Sequence, residues 1–270
     1  MHGRFLPRVL GRTGLAVGPL GLSSSYGLPA RALEMAFERG MNYLYWGSLR
    51  RESFAQGLRN LRPQRNKMVL VVQSYSRLGS LTRWSVEKAL RRIGFDYADV
   101  LLLGYWNSPV SPRILDAARE LQRTGKVRFL SISTHDNQFL GAWAAASPVD
   151  IFQLRYNAVD RSAEQHVFPN VQAQEPPGMV AYTATCWKRL LQQGMSAPGD
   201  PVPMAGDCYR FVLSNPNIHI CMTGTADEEQ TRHALDAIDR GPMSPDELAW
   251  MRRTGDAING RPRLLPLSVR

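Results

Sequence analysis

Eight short apolar runs, each followed by a stretch with amphipathic spacing, recur in order along the chain. A strand buried on both faces reads as a continuous apolar run, and the helix that covers it shows a single apolar stripe, so this alternation is the pattern of βα units. The runs lie at 20–23, 42–46, 68–73, 100–103, 128–133, 150–154, 179–183 and 218–223. Eight strands in one domain of 270 residues favour a closed (β/α)₈ barrel, a TIM barrel, over an open sheet. Ahead of them, residues 8–17 read as a short N-terminal hairpin turning around Gly11 and Gly14.

The intervening segments carry helix signals. Pro29 suits a first-turn position, where a backbone donor is dispensable, and Gly40 closes the pattern of Ala32, Met35 and Ala36. Residues 80–93 repeat apolar groups at Trp84, Ala89, Leu90 and Ile93 and stop at Gly94. Pro112 opens another helix, with Ile114, Leu115, Ala118 and Leu121 on one face and Gly125 at its end. Residues 227–238 form a further candidate, Asp227 standing where an N-cap would. Residues 192–206, rich in Pro and Gly, read as a long loop after the seventh strand that either frames a site or is a surface excursion.

Hydrophobic residues make up 44% of the chain, enough for one large core, so a single domain over 1–270 is expected. Lys and Arg number 33 against 23 Asp and Glu, a formal charge of +10. The arginines are scattered, with no reading helix, aromatic ladder or basic stripe, so nucleic acid is not an expected partner. Cys186, Cys208 and Cys221 have neither metal-ligand spacing nor a disulfide framework, and His2, His166, His219 and His233 form no zinc pair. No metal is expected. No apolar run is long enough to cross a membrane, and residues 1–12 lack the core of a secretory signal, so a cytoplasmic protein acting on a small molecule is the expectation. The oligomeric state is not legible here.

Five segments carry a resemblance. Leu10-Gly-Arg-Thr-Gly-Leu15, Arg92-Ile-Gly-Phe-Asp-Tyr-Ala-Asp-Val-Leu-Leu-Leu103, Gly125-Lys-Val-Arg-Phe-Leu-Ser-Ile-Ser133, Gln153-Leu-Arg-Tyr-Asn157 and Gly224-Thr-Ala-Asp-Glu-Glu-Gln230 resemble, in order, landmarks of the aldo/keto reductase family. The resemblance implies a barrel with its site at the C-terminal mouth and, in active relatives, hydride transfer from NADPH to a carbonyl. It also implies an Asp-Tyr-Lys-His set, and the matching positions here are Tyr45, Arg50, Gln73 and Gly104. The usual acid system is therefore expected to be missing.

The same resemblance places nicotinamide contacts at Ser133, Thr134 and Gln153. At the adenine end Ala226 and Asp227 replace a basic and a hydroxyl residue, while Arg232 and His233 replace a carboxylate and an amide. An aspartate there repels the extra phosphate of NADPH but can accept from a ribose, so NAD(P)H is one expectation, with NADPH preference doubtful, and no nucleotide is the other. Gly224 and the helix start behind it offer backbone donors to a small phosphate; Asp227 is alternatively only an N-cap.

New groups stand where the acid system would be. Tyr45 shares strand parity with Tyr43 and is either a proton-transfer residue or a hydrogen-bonded core tyrosine. His135, just past the fifth strand, is the second candidate for proton exchange, with a surface role as its alternative. Trp46, Tyr105, Trp106 and Trp187 read as walls for a flat ligand or as barrel-to-helix packing. Arg50 and Arg51 suit a carboxylate or phosphate clamp or a solvated helix start. Gln73, Arg155 and Asn157 join Gln153 as groups to orient a polar substrate. Cys186 lies near Lys188 but lacks a clear base, so a plain thiol is expected. Two functions follow: an enzyme with altered redox, proton-transfer, elimination or isomerisation chemistry on a small anionic or aromatic metabolite, or a non-catalytic ligand-binding or scaffold protein.

Overall fold

In the computed structural model, residues 3–47, 49–171 and 174–260 are described. Met1 and His2 of the start considered above, Ser48 in the segment after the second predicted strand, and 261–270 of the expected single domain lie outside them. The chain opens with β1 (Arg8–Val9) and β2 (Ala16–Val17), an antiparallel pair joined through a 3-10 turn at Gly11–Thr13. Eight parallel strands follow: β3 (Leu20–Ser23), β4 (Tyr43–Trp46), β5 (Val69–Gln73), β6 (Ala98–Tyr105), β7 (Val127–Thr134), β8 (Ile151–Arg155), β9 (Gly178–Tyr182) and β10 (Ile220–Thr223). They close into a barrel in chain order, β10 bonding back to β3. This is the expected (β/α)₈ barrel with its short hairpin.

Around it stand α1 (Ala30–Glu38), α2 (Glu52–Asn60), α3 (Gly79–Ile93), α4 (Pro112–Arg123), α5 (Asn137–Trp143), α6 (Ala163–His166), α7 (Ala205–Leu213), α8 (Glu228–Arg240) and α9 (Pro245–Asn259). The four expected helices are α1, α3, α4 and α8. The periodicity reading did not include α7, for a physical reason: eight of its nine residues are buried, so no polar face interrupts it.

Strand ends shift by a residue or two where a side chain or dihedral intervenes. Asp150 precedes β8 because its carboxylate accepts the Leu130 N–H at 2.8 Å. Thr183, at φ 60°, ends β9 one residue early. β6 runs on to Tyr105 through a register shift after Leu102, made at Gly104, whose φ is +78°.

Period-two alternation sorts the side chains. Tyr43, Val69, Val71, Val100, Ile151, Val180 and Ile220 point inward, while Leu44, Trp46, Leu70, Val72 and Leu101 face the helices. The hairpin plugs the lower end, where Leu10, Leu15 and Val17 join the inner cluster. Contact there is close enough that a Cβ on Gly178 would stand 2.8 Å from Leu10. With the bottom filled by apolar groups, the inward polar side chains beyond Tyr43 and Ser131 gather at the upper end.

At the lower rim, Arg8 donates to the Ile218 carbonyl at 2.8 Å and His219 Nδ1 accepts the Met179 N–H at 3.1 Å. Burial, and secondarily the Arg8 charge, hold the His219 imidazole below its ordinary value of 6.5. A histidine kept neutral by the fold contributes fully above that value, and its contribution is lost as pH falls from there through the lower folded value, since the unfolded chain takes up the proton first. Urea midpoints should therefore drop between about pH 7.5 and about pH 5. His219→Asn, which keeps an acceptor near Nδ1, is expected to make that drop shallower.

Candidate functional site

The upper ends of the strands surround a cavity of about 650 Å³, well within the ~300–1,000 Å³ usual for ligand pockets. Its floor is the topmost inward layer: Ser23, Tyr45, Gln73, Ser133, Gln153 and Met222 all line it. Tyr45 is 9% exposed, and its hydroxyl donates to Gln73 Oε1. Gln153 Nε2 donates to the buried Tyr43 hydroxyl at 3.4 Å, and Ser133 Oγ donates to the Gly104 carbonyl at 3.2 Å.

The rim is aromatic. Tyr105 meets His135 edge-on, ring centres 4.5 Å apart, and His135 lies 5.9 Å from the Tyr182 ring. Tyr182 donates to the Thr134 carbonyl at 2.6 Å, and burial pushes its phenol well up, so it stays neutral. His135 Nδ1 lies 2.8 Å from Arg155 Nη2. Because a guanidinium only donates, Nδ1 accepts and the imidazole proton sits on Nε2. Burial first, and the Arg155 charge second, lower the His135 pKa from its ordinary value, which agrees with a neutral ring. Arg155 also stands over Trp187, 4.7 Å from the ring centre.

Of the residues singled out from sequence, Tyr45, Gln73, Tyr105, Ser133, His135, Gln153, Trp187 and Gly224 lie on this cavity. Arg155 reaches it through its partners His135 and Trp187.

Several others need correction. Trp46 does not wall the cavity: β4 parity turns it outward, where it is fully buried and stacked on Phe54 of α2 at 6.4 Å. Trp106 lies under the Arg77 guanidinium, 3.6 Å away, with its indole N–H on the Leu103 carbonyl. Thr134 faces outward and donates to Asn107 at 2.8 Å. Asn157 is a loop brace, since its Oδ1 accepts from Val159 and Asp160 and its Nδ2 donates to the Thr183 carbonyl at 3.0 Å.

Arg50 stands behind the floor, donating to the Gln73 carbonyl at 2.7 Å. Burial holds its guanidinium below the ordinary value, an effect the neighbouring Tyr45 opposes. Asp227 is the N-cap of α8, accepting from the Gln230 N–H at 2.8 Å. Cys186 is buried, which pushes its thiol up and leaves little thiolate.

Residues not recognised from sequence complete the wall: Tyr26, Tyr75, Tyr209 and Lys188, with Tyr182. Strand parity with Val180 carries a signal for Tyr182. Tyr209 comes from α7, buried at eight of its nine residues, which offers none. Among the described residues no group of three His, Cys, Asp or Glu is placed to hold a metal, and no helix is long and apolar enough to cross a membrane.

The two ends of a nicotinamide nucleotide fare differently. Ser133 and Gln153 present polar side chains at the cavity floor beside the Tyr182 ring, which fits a carboxamide-bearing ring. The start of α8 does not fit an added phosphate. The Ala226 N–H is taken by Gln230 Oε1 at 3.1 Å, Asp227, Glu228 and Glu229 crowd the helix start, and Arg232 is paired to Glu228 at 2.9 Å.

Gly104 is held at positive φ, and a Cβ there would stand 2.8 Å from the Tyr75 ring. Gly104→Ala should cost about 1–2 kcal/mol from the left-handed backbone alone. Gly104→His should cost more, because its ring must displace Tyr75. Urea unfolding of both variants measures this, and the histidine variant should gain no turnover.

A family model described as the aldo/keto reductase family matches residues 23–186. Aldo-keto reductase YhdN of Bacillus subtilis is 29% identical over 86 residues, 31% of this chain and 26% of that protein. The NADH-specific methylglyoxal reductase of Escherichia coli is 27% identical over 93 residues, 32% of this chain. The chain thus matches only about a quarter of the length of these curated relatives. An aldo-keto reductase of Bacillus halodurans in its holo form superposes with TM-score 0.77 at 20% identity, over 93% of this chain and 96% of that one. One from Klebsiella pneumoniae, in complex with NADPH, gives 0.75 at 22%, over 94% and 95%. These two likenesses show the fold. With the family model spanning more than half of its residues, the chain belongs to the aldo/keto reductase family.

Proposed function

We propose that this chain is a divergent aldo/keto-reductase-fold enzyme, acting on a small anionic or aromatic metabolite, in which Tyr45 replaces the usual Asp-Tyr-Lys-His set as the acid–base group. The observation that carries this reading is the Tyr45–Gln73 pair at the cavity floor, backed by Arg50 on the Gln73 carbonyl. The phenol has one proton, which Gln73 Oε1 accepts in this structure; to act as an acid, Tyr45 turns that hydroxyl from Gln73 to an oxygen that gains charge on a substrate carbonyl. Acting in the other sense, a phenolate at Tyr45 would be attracted by the Arg50 guanidinium. His135, with its proton on Nε2, is the second donor on the wall.

A nicotinamide ring, when bound with its carboxamide at Ser133 and Gln153, supplies a hydride. The Klebsiella relative's NADPH complex and the name of the Escherichia coli relative support nucleotide binding in this fold. The acidic start of α8 argues for NADH over NADPH here. Cofactor-independent proton transfer, elimination or isomerisation uses the same tyrosine. A non-catalytic binding protein is the second reading, favoured by the burial of the Tyr45 hydroxyl and its existing bond to Gln73.

In parallel titrations NADPH should not outcompete NADH; tight, NADPH-selective binding would overturn the adenine-end assignment. On a substrate found by screening carbonyl acids, Tyr45→Phe should lower turnover by about 10²–10⁴-fold while the thermal midpoint stays close to that of the parent. Full turnover in both Tyr45→Phe and His135→Gln would remove the acid–base assignment. Stoichiometric ligand binding without any turnover would establish the binding reading.

A further inference from the structure

We propose that the mouth of the cavity is a carboxylate-binding subsite built on Arg155 and Lys188 against Trp187, and that its ligand is a planar aromatic carboxylic acid. The inference rests on the reading of this cavity as the substrate site and names the substrate class.

Charge distribution is the first support. Six tyrosines line the cavity, at 26, 45, 75, 105, 182 and 209, together with Lys188 and no Asp or Glu among the described residues. The carboxylate whose field reaches Tyr182 and Cys186 is Asp160, and it already accepts from the Ser162 hydroxyl at 2.7 Å. An anion entering the mouth meets positive charge and phenols with no carboxylate on the wall to repel it.

Arg155 supplies the second. Its Nη2 donates to His135 and its plane lies over the Trp187 indole, while its buried Nε has no acceptor. That Nε is sealed from solvent, so the donors that meet a ligand are those of the exposed Nη end, beside the His135 ring. The fork of a guanidinium matches the two coplanar oxygens of a carboxylate better than it matches a single hydroxyl. Because Nδ1 of His135 is occupied by Arg155, Nε2–H remains as a donor beside it.

Backbone strain is the third. Cys186, Trp187 and Lys188 take φ of 48°, 53° and 66° in succession, and none is glycine. A non-glycine residue in this region is strained and persists only where the surroundings hold it. Here Asn157 holds the start of the turn through the Thr183 carbonyl. This turn sets Trp187 and Lys188 on the cavity wall. With Tyr105 also on the wall, the mouth offers aromatic faces next to two cations, which selects a flat ring carrying negative charge over an aliphatic anion.

Isothermal titration calorimetry of the full chain with benzoate, benzamide and phenyl phosphate tests this. Benzoate should bind at one site, about tenfold or more tighter than benzamide, which has the same shape without the charge. Arg155→Gln should weaken benzoate by about tenfold and leave benzamide unchanged, with Arg155→Lys falling between, and Lys188→Gln should weaken benzoate by a smaller factor. Arg119→Gln, a distant surface change on α4, should alter neither. Equal binding of benzoate and benzamide, an unaffected Arg155→Gln, or tighter binding of phenyl phosphate than of benzoate overturns the proposal. Since binding is read rather than turnover, an inert enzyme leaves this result intact, and loss of benzoate binding leaves the assignment of Tyr45 standing.

Discussion

Closure of the eight parallel strands is the constraint on which everything else depends. Once β10 bonds back to β3 there is no free edge, so every strand residue points either into the barrel or out toward a helix, and a shift of one residue would exchange the two sets. That rule puts Tyr45 inside and Trp46 outside, although they are adjacent. It also stacks the interior in layers, with the hairpin and the apolar groups below and Tyr45, Gln73, Ser133 and Gln153 above. The site is polar at one end because the plug makes the other end dry.

The arginine excess divides into groups with different physical consequences. Many arginines form exposed pairs, such as Arg59 with Glu52 and Arg253 with Asp200; solvent screens such pairs, and each contributes little to stability. Arg210 is a different case. It is buried, donates to the Gly241 and Pro242 carbonyls, and holds the Glu247 carboxyl down to about 2, fastening α7 to the start of α9. α7 in turn delivers Tyr209 to the cavity wall. Arg155 belongs to neither group, since its neighbours are an imidazole and an indole.

Two local devices shape the ends of the cavity. Asn157 braces the strained turn that carries Trp187 and Lys188, which makes it structural although it follows β8 at the mouth. At the far side, Asp227 and Gln230 satisfy each other and the Ala226 N–H. A helix start whose donors and charges are already committed in this way has little to offer an added phosphate.

The barrel was legible in the sequence because its cause is local: eight apolar runs, Pro and Gly at helix limits, and a glycine-centred hairpin are consequences of burial and backbone geometry that repeat every few residues. Tyr45, Gln73, Ser133 and Gln153 were singled out through the family resemblance, and the structure sets all four on the cavity floor. Tertiary structure decided what depends on contacts distant in sequence. Trp106 went under Arg77 and Thr134 onto Asn107, while Arg155 met His135, twenty residues earlier in the chain. Tyr26, Tyr75, Lys188 and Tyr209 come from turns, loops and a nearly all-buried helix, where no period marks a face. Periodicity reports which side of an element is buried; only closure of the barrel determines which of those sides share one cavity.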